Sequence, residues 1–422
     1  MKKLSFVGLL VLFALVSCDK NDAVIDNPAM QRSPSQTGEI DKLGYLNQAA
    51  AIEAATLFYD QEYKRGNLSV KDMSIIPDAK NQTAFYAVNF EEGGFIVISG
   101  NAKYVPVIAT SEKGYFADIM KNSKDVPEAL LGYFAEHIIL QEAAMKAPIN
   151  SHYIYEWERA VNLKMWSGRW DEYMYWLPPC PPLIYYAQPY PYPFGVLPMS
   201  TNWGRKAPYN DYLGGIVARS TTSATAQLLK VYEKTNAFNW GIMPDVALVG
   251  GGAGTVEAAK LYQYAHNNNG SATDLAVLFA FKNQYGFPNA VLNNYNVSDI
   301  FKSVSTDGPV YVSGFAAHAG FWLPFFPQLE MFMNAESKYA FVIDDAKTWY
   351  TSVTDNCGQV SYKQLGYNFY INWGDTDSYN PDQNYNAWYL ASLSLNNLEL
   401  LPDVSSQYGV QFNKRCIYGL SR

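Results

Sequence analysis

The order of helix-like and strand-like segments in the second half of the chain constrains the fold more than any other feature of the sequence. Apolar periodicity predicts three helices, over residues 221–234, 255–265 and 274–285. Runs rich in β-branched and aromatic residues then predict three strands, over 310–313, 340–343 and 367–373. Helices first and strands afterwards are typical of an α+β fold with two lobes.

A smaller α+β unit is predicted ahead of this region, over residues 42–150. It has helix-like segments at its two ends, over 49–65 and 127–147, and strand-like runs at 83–90 and 94–99 between them. The sequence Glu91-Glu92-Gly93-Gly94 separates the two strands. Glycine tolerates the positive φ that tight turns demand, so this sequence predicts a hairpin. The unit contains no group suited to catalysis.

Short motifs across most of residues 40–422 resemble the streptopain family, which are papain-like cysteine peptidases with an N-terminal Spi-type inhibitor or pro-domain. The motifs that carry the resemblance are GGFIVISGN at 93–101, WGRKAPYN at 203–210, ATAQLL at 224–229, AFVID at 340–344 and NWG at 372–374. The resemblance implies an inhibitor module over 42–150, an aromatic and proline-rich connecting segment over 151–195, and a two-lobed papain-like peptidase domain over 196–422. The activity that it implies is that of a cysteine-type endopeptidase.

The catalytic residues of that family are substituted in this chain. A cysteine peptidase needs a thiolate at a helix N-terminus, a histidine base and a donor for the oxyanion. On the motifs above, the family's cysteine falls on Ser220, its histidine on Tyr339 and its oxyanion glutamine on Arg205. Asn372 and Trp373, which orient and shield the histidine in relatives, are retained. The resemblance therefore implies a pseudopeptidase that binds a peptide or protein in the former substrate cleft, or inhibits one.

Two other interpretations of Ser220 stay open. Its hydroxyl could be the N-cap of the nucleophile helix, which is the interpretation we favour, or the nucleophile of a divergent active endopeptidase. Tyr339, with an ordinary pKa of about 10, is a poor base at neutral pH. His318, in an apolar insertion between Gly314 and Tyr339, is the alternative base.

The N-terminal residues predict a lipoprotein. Lys2 and Lys3 precede an apolar run over 4–16 that is too short to span a bilayer, and LVSC at 15–18 resembles a bacterial lipobox. We expect cleavage of residues 1–18 ahead of Cys18, lipidation of that cysteine and a flexible tether over 19–41. The acidic sequence after Cys18 is similar to the export signal of surface lipoproteins in the Bacteroidetes. The expected location is therefore the outer membrane, facing either the periplasm or the cell surface.

The remaining features concern partners and cofactors. The formal net charge of −8, with no basic stripe, excludes nucleic acid as an expected partner. The Tyr, Trp and Pro residues of 164–195 predict an extended loop that could bind a glycan or pack on its own domain. Cys180, Cys357 and Cys416 can form at most one disulfide. Asp375, Asp377, Asn380 and Asp382 lack the glycine and glutamate of a calcium loop, and we expect neither a metal nor another cofactor.

Overall fold

The chain folds around one large antiparallel sheet. The computed structural model describes residues 44–78, 80–120, 126–146, 157, 183–185, 195–235, 237–247, 249–315, 338–354, 360–374, 385–391 and 414–421. Within these ranges eleven strands join a single sheet and six α-helices accompany it. The predicted α+β class is confirmed.

Each predicted helix and strand overlaps one that the structure has, although the strands over Lys338–Thr354 and Val360–Asn372 extend well beyond the predicted 340–343 and 367–373. The helices are α1 (Gln48–Tyr63), α2 (Glu128–Lys146), α3 (Ser220–Tyr232), α4 (Ala253–Asn269), α5 (Asp274–Asn283) and α6 (Val297–Thr306). The strands are β1 (Val70–Pro77), β2 (Thr83–Phe90), β3 (Phe95–Ser99), β4 (Val107–Ser111), β5 (Leu183–Tyr185), β6 (Val291–Asn294), β7 (Val310–Phe315), β8 (Lys338–Thr354), β9 (Val360–Asn372), β10 (Ala387–Ala391) and β11 (Arg415–Tyr418). Their order in the sheet is β1-β2-β3-β4-β10-β9-β8-β7-β11-β6, and β5 pairs with β8.

Residues 44–146 together with Trp157 form what we call the N-terminal module. Its first helix, α1, begins after Asn47, whose side chain accepts the N–H of Ala50 at 2.8 Å. Such a cap satisfies one of the orphan donors at the helix start. The predicted hairpin between β2 and β3 is confirmed, and Gly93 and Gly94 in its turn both have positive φ.

Residues 183–185 and 195–421, as far as they are described, form the C-terminal part. Successive side chains of a strand point to opposite faces, and β8 shows this alternation. Tyr339 and Phe341 pack in an apolar cluster that contains residues of the N-terminal module, whereas Ala340 and Val342 pack in a second cluster with residues of α3, α4 and α5. Strand β8 therefore has the N-terminal module on one side and the helices of the C-terminal part on the other.

The connecting segment differs in part from its prediction. We expected an extended loop over 164–195, but residues 183–185 form β5 and pair antiparallel with residues 352–354 of β8. The prediction is wrong there, because the proline-free Leu183-Ile184-Tyr185 keeps the backbone donors that a ladder requires. Residues 164–182 and 186–194 lie outside the described residues, and so does the candidate glycan contact that they carry.

Residues 1–43 also lie outside the described residues, so the signal peptide, Cys18 and the tether stay predictions. Among the residues that the structure does describe, no helix is both long and apolar enough to cross a bilayer.

Candidate functional site

Ser220 is the first residue of α3, as the motif alignment predicts for the nucleophile position. The residue in the N-cap position is Arg219, which has an extended backbone and no side-chain cap. The prediction that Ser220 is the N-cap is therefore wrong by one residue, because Ser220 already has helical geometry. Its Oγ does accept a backbone N–H, but from Ala340 of β8 at 3.0 Å and not from its own helix.

The contact between Ser220 and Ala340 has a simple cause in the sheet. Ala340 pairs with Ser313 of β7, whereas the pairing of β8 with β9 begins only at Val342 and Asn372. Where β9 is absent, the N–H of Ala340 needs another acceptor, since an unpaired buried donor is costly. The hydroxyl of Ser220, which is buried, supplies that acceptor and joins the start of α3 to the start of β8.

Tyr339, at the predicted histidine position, is buried among apolar and charged residues. Burial raises the pKa of its hydroxyl above the ordinary 10, and the nearby charge of Glu136 raises it further. Glu136 belongs to α2 of the N-terminal module. Opposite Tyr339 in β7 stands Gly314, where an added Cβ would come within 2.5 Å of the tyrosine hydroxyl. The ring thus fills the space that the glycine leaves, and its protonated hydroxyl cannot act as a base near neutral pH.

Asn372, which the motifs predict to be the retained orienting residue, uses both ends of its amide in hydrogen bonds to the framework. Its Nδ2 donates to the carbonyl of Thr201 at 2.7 Å and to Oε1 of Gln227 at 2.9 Å, and its Oδ1 accepts the N–H of Gly374 at 3.0 Å. A peptidase would need this amide for its imidazole. Here the amide holds a glutamine of α3 instead.

Trp373 and Arg205 complete the predicted set. Trp373 is buried and packs against Phe341 and Tyr389, with ring centroids 4.9 and 5.1 Å apart. Arg205 is half-buried, and its carbonyl accepts the N–H of Ala218 at 2.8 Å. That bond fixes the loop directly before α3. The structure thus places Arg205 and Ser220 at the start of α3 and Asn372 beside Gln227, about two turns further along the helix, while Tyr339 packs with Trp373 against the N-terminal module.

Sequence reasoning missed a buried polar network beside these residues. Oε1 of Gln227 also accepts the N–H of Trp203 at 3.2 Å. Oγ of Ser223 lies 2.9 Å from the hydroxyl of Tyr262 and donates to the carbonyl of Gly374 at 3.1 Å. A usable signal was present, because positions 220, 223 and 227 fall on one face of a helix. The network joins this face of α3 to α4 and to the end of β9.

The described histidines do not supply a base. The hydroxyl of Tyr104 hydrogen-bonds Nδ1 of His137 at 2.9 Å, and burial lowers the pKa of His137 to about 3. Burial also lowers the pKa of His266 on α4, with a further effect from the charge of Arg219. Neither imidazole hydrogen-bonds Ser220. His152 and His318 lie outside the described residues, so a rescue by His318 stays a prediction.

The remaining candidate groups are the cysteines and the acidic sequence with a faint calcium-loop pattern. Cys416 is a free thiol buried in β11, and burial raises its pKa to about 12. Such a thiol is not a nucleophile at neutral pH. Cys180, Cys357 and the four residues with a faint calcium-loop pattern lie outside the described residues. Within the described ranges, no group of three or more His, Cys, Asp or Glu side chains could hold a metal ion.

Comparison with known proteins finds a similarity in the N-terminal module. Residues 44–137 match the family described as Spi protease inhibitor, so this part of the chain is similar to Spi-type modules and the predicted resemblance is confirmed there. The chain is also similar to the solved structure of a prointerpain A fragment from Prevotella intermedia. The TM-score is 0.47, the sequence identity is 14%, and the match covers 84% of this chain and 99% of that one. No curated protein matches the sequence.

Proposed function

We propose that this protein is a pseudopeptidase: a peptidase-like framework, joined to a Spi-type module, that binds a peptide or protein without cutting it. The observation that carries the proposal is the hydrogen bond from the N–H of Ala340 to the buried Oγ of Ser220. The oxygen that would attack a substrate is used to join a helix to a strand.

The surrounding chemistry supports the same conclusion. A serine hydroxyl becomes nucleophilic only when a base takes its proton. Tyr339 is protonated, and the amide of Asn372 is committed to Gln227 and Thr201. Loss of members of a catalytic unit typically removes on the order of 10⁴ to 10⁶ in rate. We therefore expect no turnover that depends on Ser220.

The test compares the mature wild-type protein with Ser220→Ala and Ser271→Ala on casein and on fluorogenic peptides. Ser271 is exposed, which makes it a matched control for the loss of one hydroxyl. We expect all three proteins to show the same background rate. Turnover in the wild type and in Ser271→Ala that disappears in Ser220→Ala would establish the divergent endopeptidase instead.

Binding without cleavage needs a contact surface near the former active centre. Ile216 is 72% exposed and Val217 is 49% exposed, and both lie in the loop just ahead of α3. Exposed apolar residues of this kind are often used for recognition. We expect fluorescence anisotropy to detect binding of labelled unfolded casein, and Ile216→Asp to weaken that binding at least tenfold. Leu275→Asp, at an equally exposed position on α5, is the control, and equal binding by both variants would exclude the Ile216 loop.

The lipid anchor is part of the proposal. Metabolic labelling with a radioactive fatty acid should mark the wild type and not Cys18→Ser, because Cys18 is the residue that the lipobox pattern selects. Equal labelling of the two proteins would contradict lipidation at Cys18.

A further inference from the structure

The N-terminal module and the C-terminal part share one sheet. Strand β4 of the module pairs antiparallel with β10, through Ala109 with Tyr389 and Thr110 with Trp388. Strand β10 in turn pairs with β9 over its full length. An edge strand that pairs with a neighbour satisfies backbone groups that would otherwise need water. The module is therefore joined to the C-terminal part by backbone hydrogen bonds within one sheet.

Side chains extend this junction into a common core. Phe116 of the module packs against Tyr385 with ring centroids 5.3 Å apart, and Tyr133 packs against Tyr389 at 5.0 Å. The hydroxyl of Tyr133 also lies 3.0 Å from the carbonyl oxygen of Leu390. All four aromatic residues are buried. Separation of the two pieces would expose these rings, at a cost of about 25 cal/mol for each Å² of apolar surface.

In the part of the chain that the structure describes, Glu136–Lys414 and Glu62–Lys347 are ion pairs across the junction, and both have the acid on the module and the lysine on the C-terminal part. Glu136 of α2 lies 2.8 Å from Nζ of Lys414, and both side chains are at least nine-tenths buried. Glu62 of α1 lies 3.2 Å from Nζ of Lys347, which also sits over the ring of Trp388 at 3.7 Å. Each buried charge is compensated by its partner across the junction, so the two pairs fix how the module docks on the C-terminal part.

Among the described residues, the cavity at the junction beside the former histidine position is too small for a substrate. A cavity beside Glu136, Tyr339, Trp373 and Lys414 offers about 20 Å³ to the centres of water molecules. That is room for roughly one or two waters. In the described part of the chain, this cavity therefore has no room for a peptide.

We propose that the Spi-type module is a permanent part of the folded protein, which stays bound when the chain between it and the C-terminal part is cut. It would then act as a structural subunit and not as a releasable pro-segment. The proposal does not depend on whether Ser220 reacts, because it rests on the junction alone.

The test places a site for a sequence-specific protease within residues 158–182. Trp157 packs on the module through Phe58 and donates its Nε1–H to the carbonyl of Tyr104, while β5 pairs with β8, so a cut in this range spares both contacts. After complete cleavage, we expect the two pieces to coelute in size-exclusion chromatography as one complex at nanomolar concentration. Separate elution of the pieces would overturn the proposal.

A second measurement probes exchange. Cleaved unlabelled protein is mixed with cleaved protein labelled with ¹⁵N, and native mass spectrometry follows the appearance of mixed complexes. We expect the wild type to show no mixed species within a day, and the cleaved Lys414→Met variant to exchange at least tenfold faster. Arg65→Met, which breaks an exposed ion pair inside the module, is the control. Mixed wild-type complexes within minutes would show a releasable module.

Discussion

Replacement of Lys414 by methionine should destabilise the protein through a carboxylate that is far away in sequence. Glu136 is 3% exposed and pairs with Lys414 at 2.8 Å, and within the described residues its other oxygen has no hydrogen-bond partner. Removal of one member of a buried ion pair typically costs about 3–5 kcal/mol, because the other charge stays buried without compensation. We expect a loss of that size in Lys414→Met at about pH 8.

The loss should depend on pH with a defined sign. Burial raises the pKa of Glu136 above its ordinary value, and the charge of Lys414 opposes that rise. Without the lysine, the folded-state pKa moves further above the unfolded one. A raised carboxyl pKa contributes stability that is fully present below the unfolded pKa and is lost as pH rises through the folded one. The deficit of Lys414→Met relative to wild type should therefore be smaller at about pH 5 than at about pH 8.

The assay is urea denaturation followed by circular dichroism, on wild type, Lys414→Met, Glu136→Gln and the double variant, with equal slopes as the check on two-state behaviour. The double variant has no buried charge left, so it should recover most of the loss. A deficit below about 1 kcal/mol at pH 8 in the single variant, or a double variant no more stable than Lys414→Met, would refute the reasoning.

Three further predictions follow from buried groups. Ser220→Ala should lower the free energy of unfolding by about 1–3 kcal/mol, because the N–H of Ala340 loses its acceptor; denaturation midpoints check this, and an unchanged midpoint contradicts it. Burial raises the pKa of Asp344 to about 8. Between about pH 5 and about pH 9, the free energy of unfolding of the wild type should therefore fall by on the order of 3 kcal/mol more than that of Asp344→Asn. Parallel pH profiles of the two proteins would exclude this. The Cys416 thiol should resist a disulfide reagent in the native protein and react in urea. Mass spectrometry of the treated protein measures the modification of Cys416, and modification in the native protein would contradict its burial.

Local sequence patterns predicted much of the fold. The bounds of β2 agree with the predicted 83–90, and α3 begins at Ser220 within one residue of the predicted 221. Apolar periodicity and glycine turns act over a few residues, so they survive in a single sequence. Strands β1, β4, β6, β10 and β11 and helix α6 were not predicted. The places of β10 and β11 in the sheet depend on β4 and β7, which are far away in sequence and which no local pattern links to them.

The arrangement of the candidate site was less accessible. Glu136 and Lys414 are 278 residues apart, and Asn372 and Gln227 are 145 apart, so no local pattern links the partners. The motifs identified the positions of Ser220 and Asn372 but could not reveal that each is hydrogen-bonded to the framework. That information lies in the register of β8 against β9 and in the docking of α3.

The most direct test of the account is the reactivity of Ser220 itself. A fluorophosphonate probe modifies serines that a base has activated, and it needs no knowledge of the substrate. Mature protein would be treated with excess probe, digested and mapped by mass spectrometry, with Ser220→Ala as the blank. We expect no adduct on Ser220, because its oxygen is buried and accepts the N–H of Ala340. A stoichiometric adduct on Ser220 would show an activated nucleophile and contradict the account.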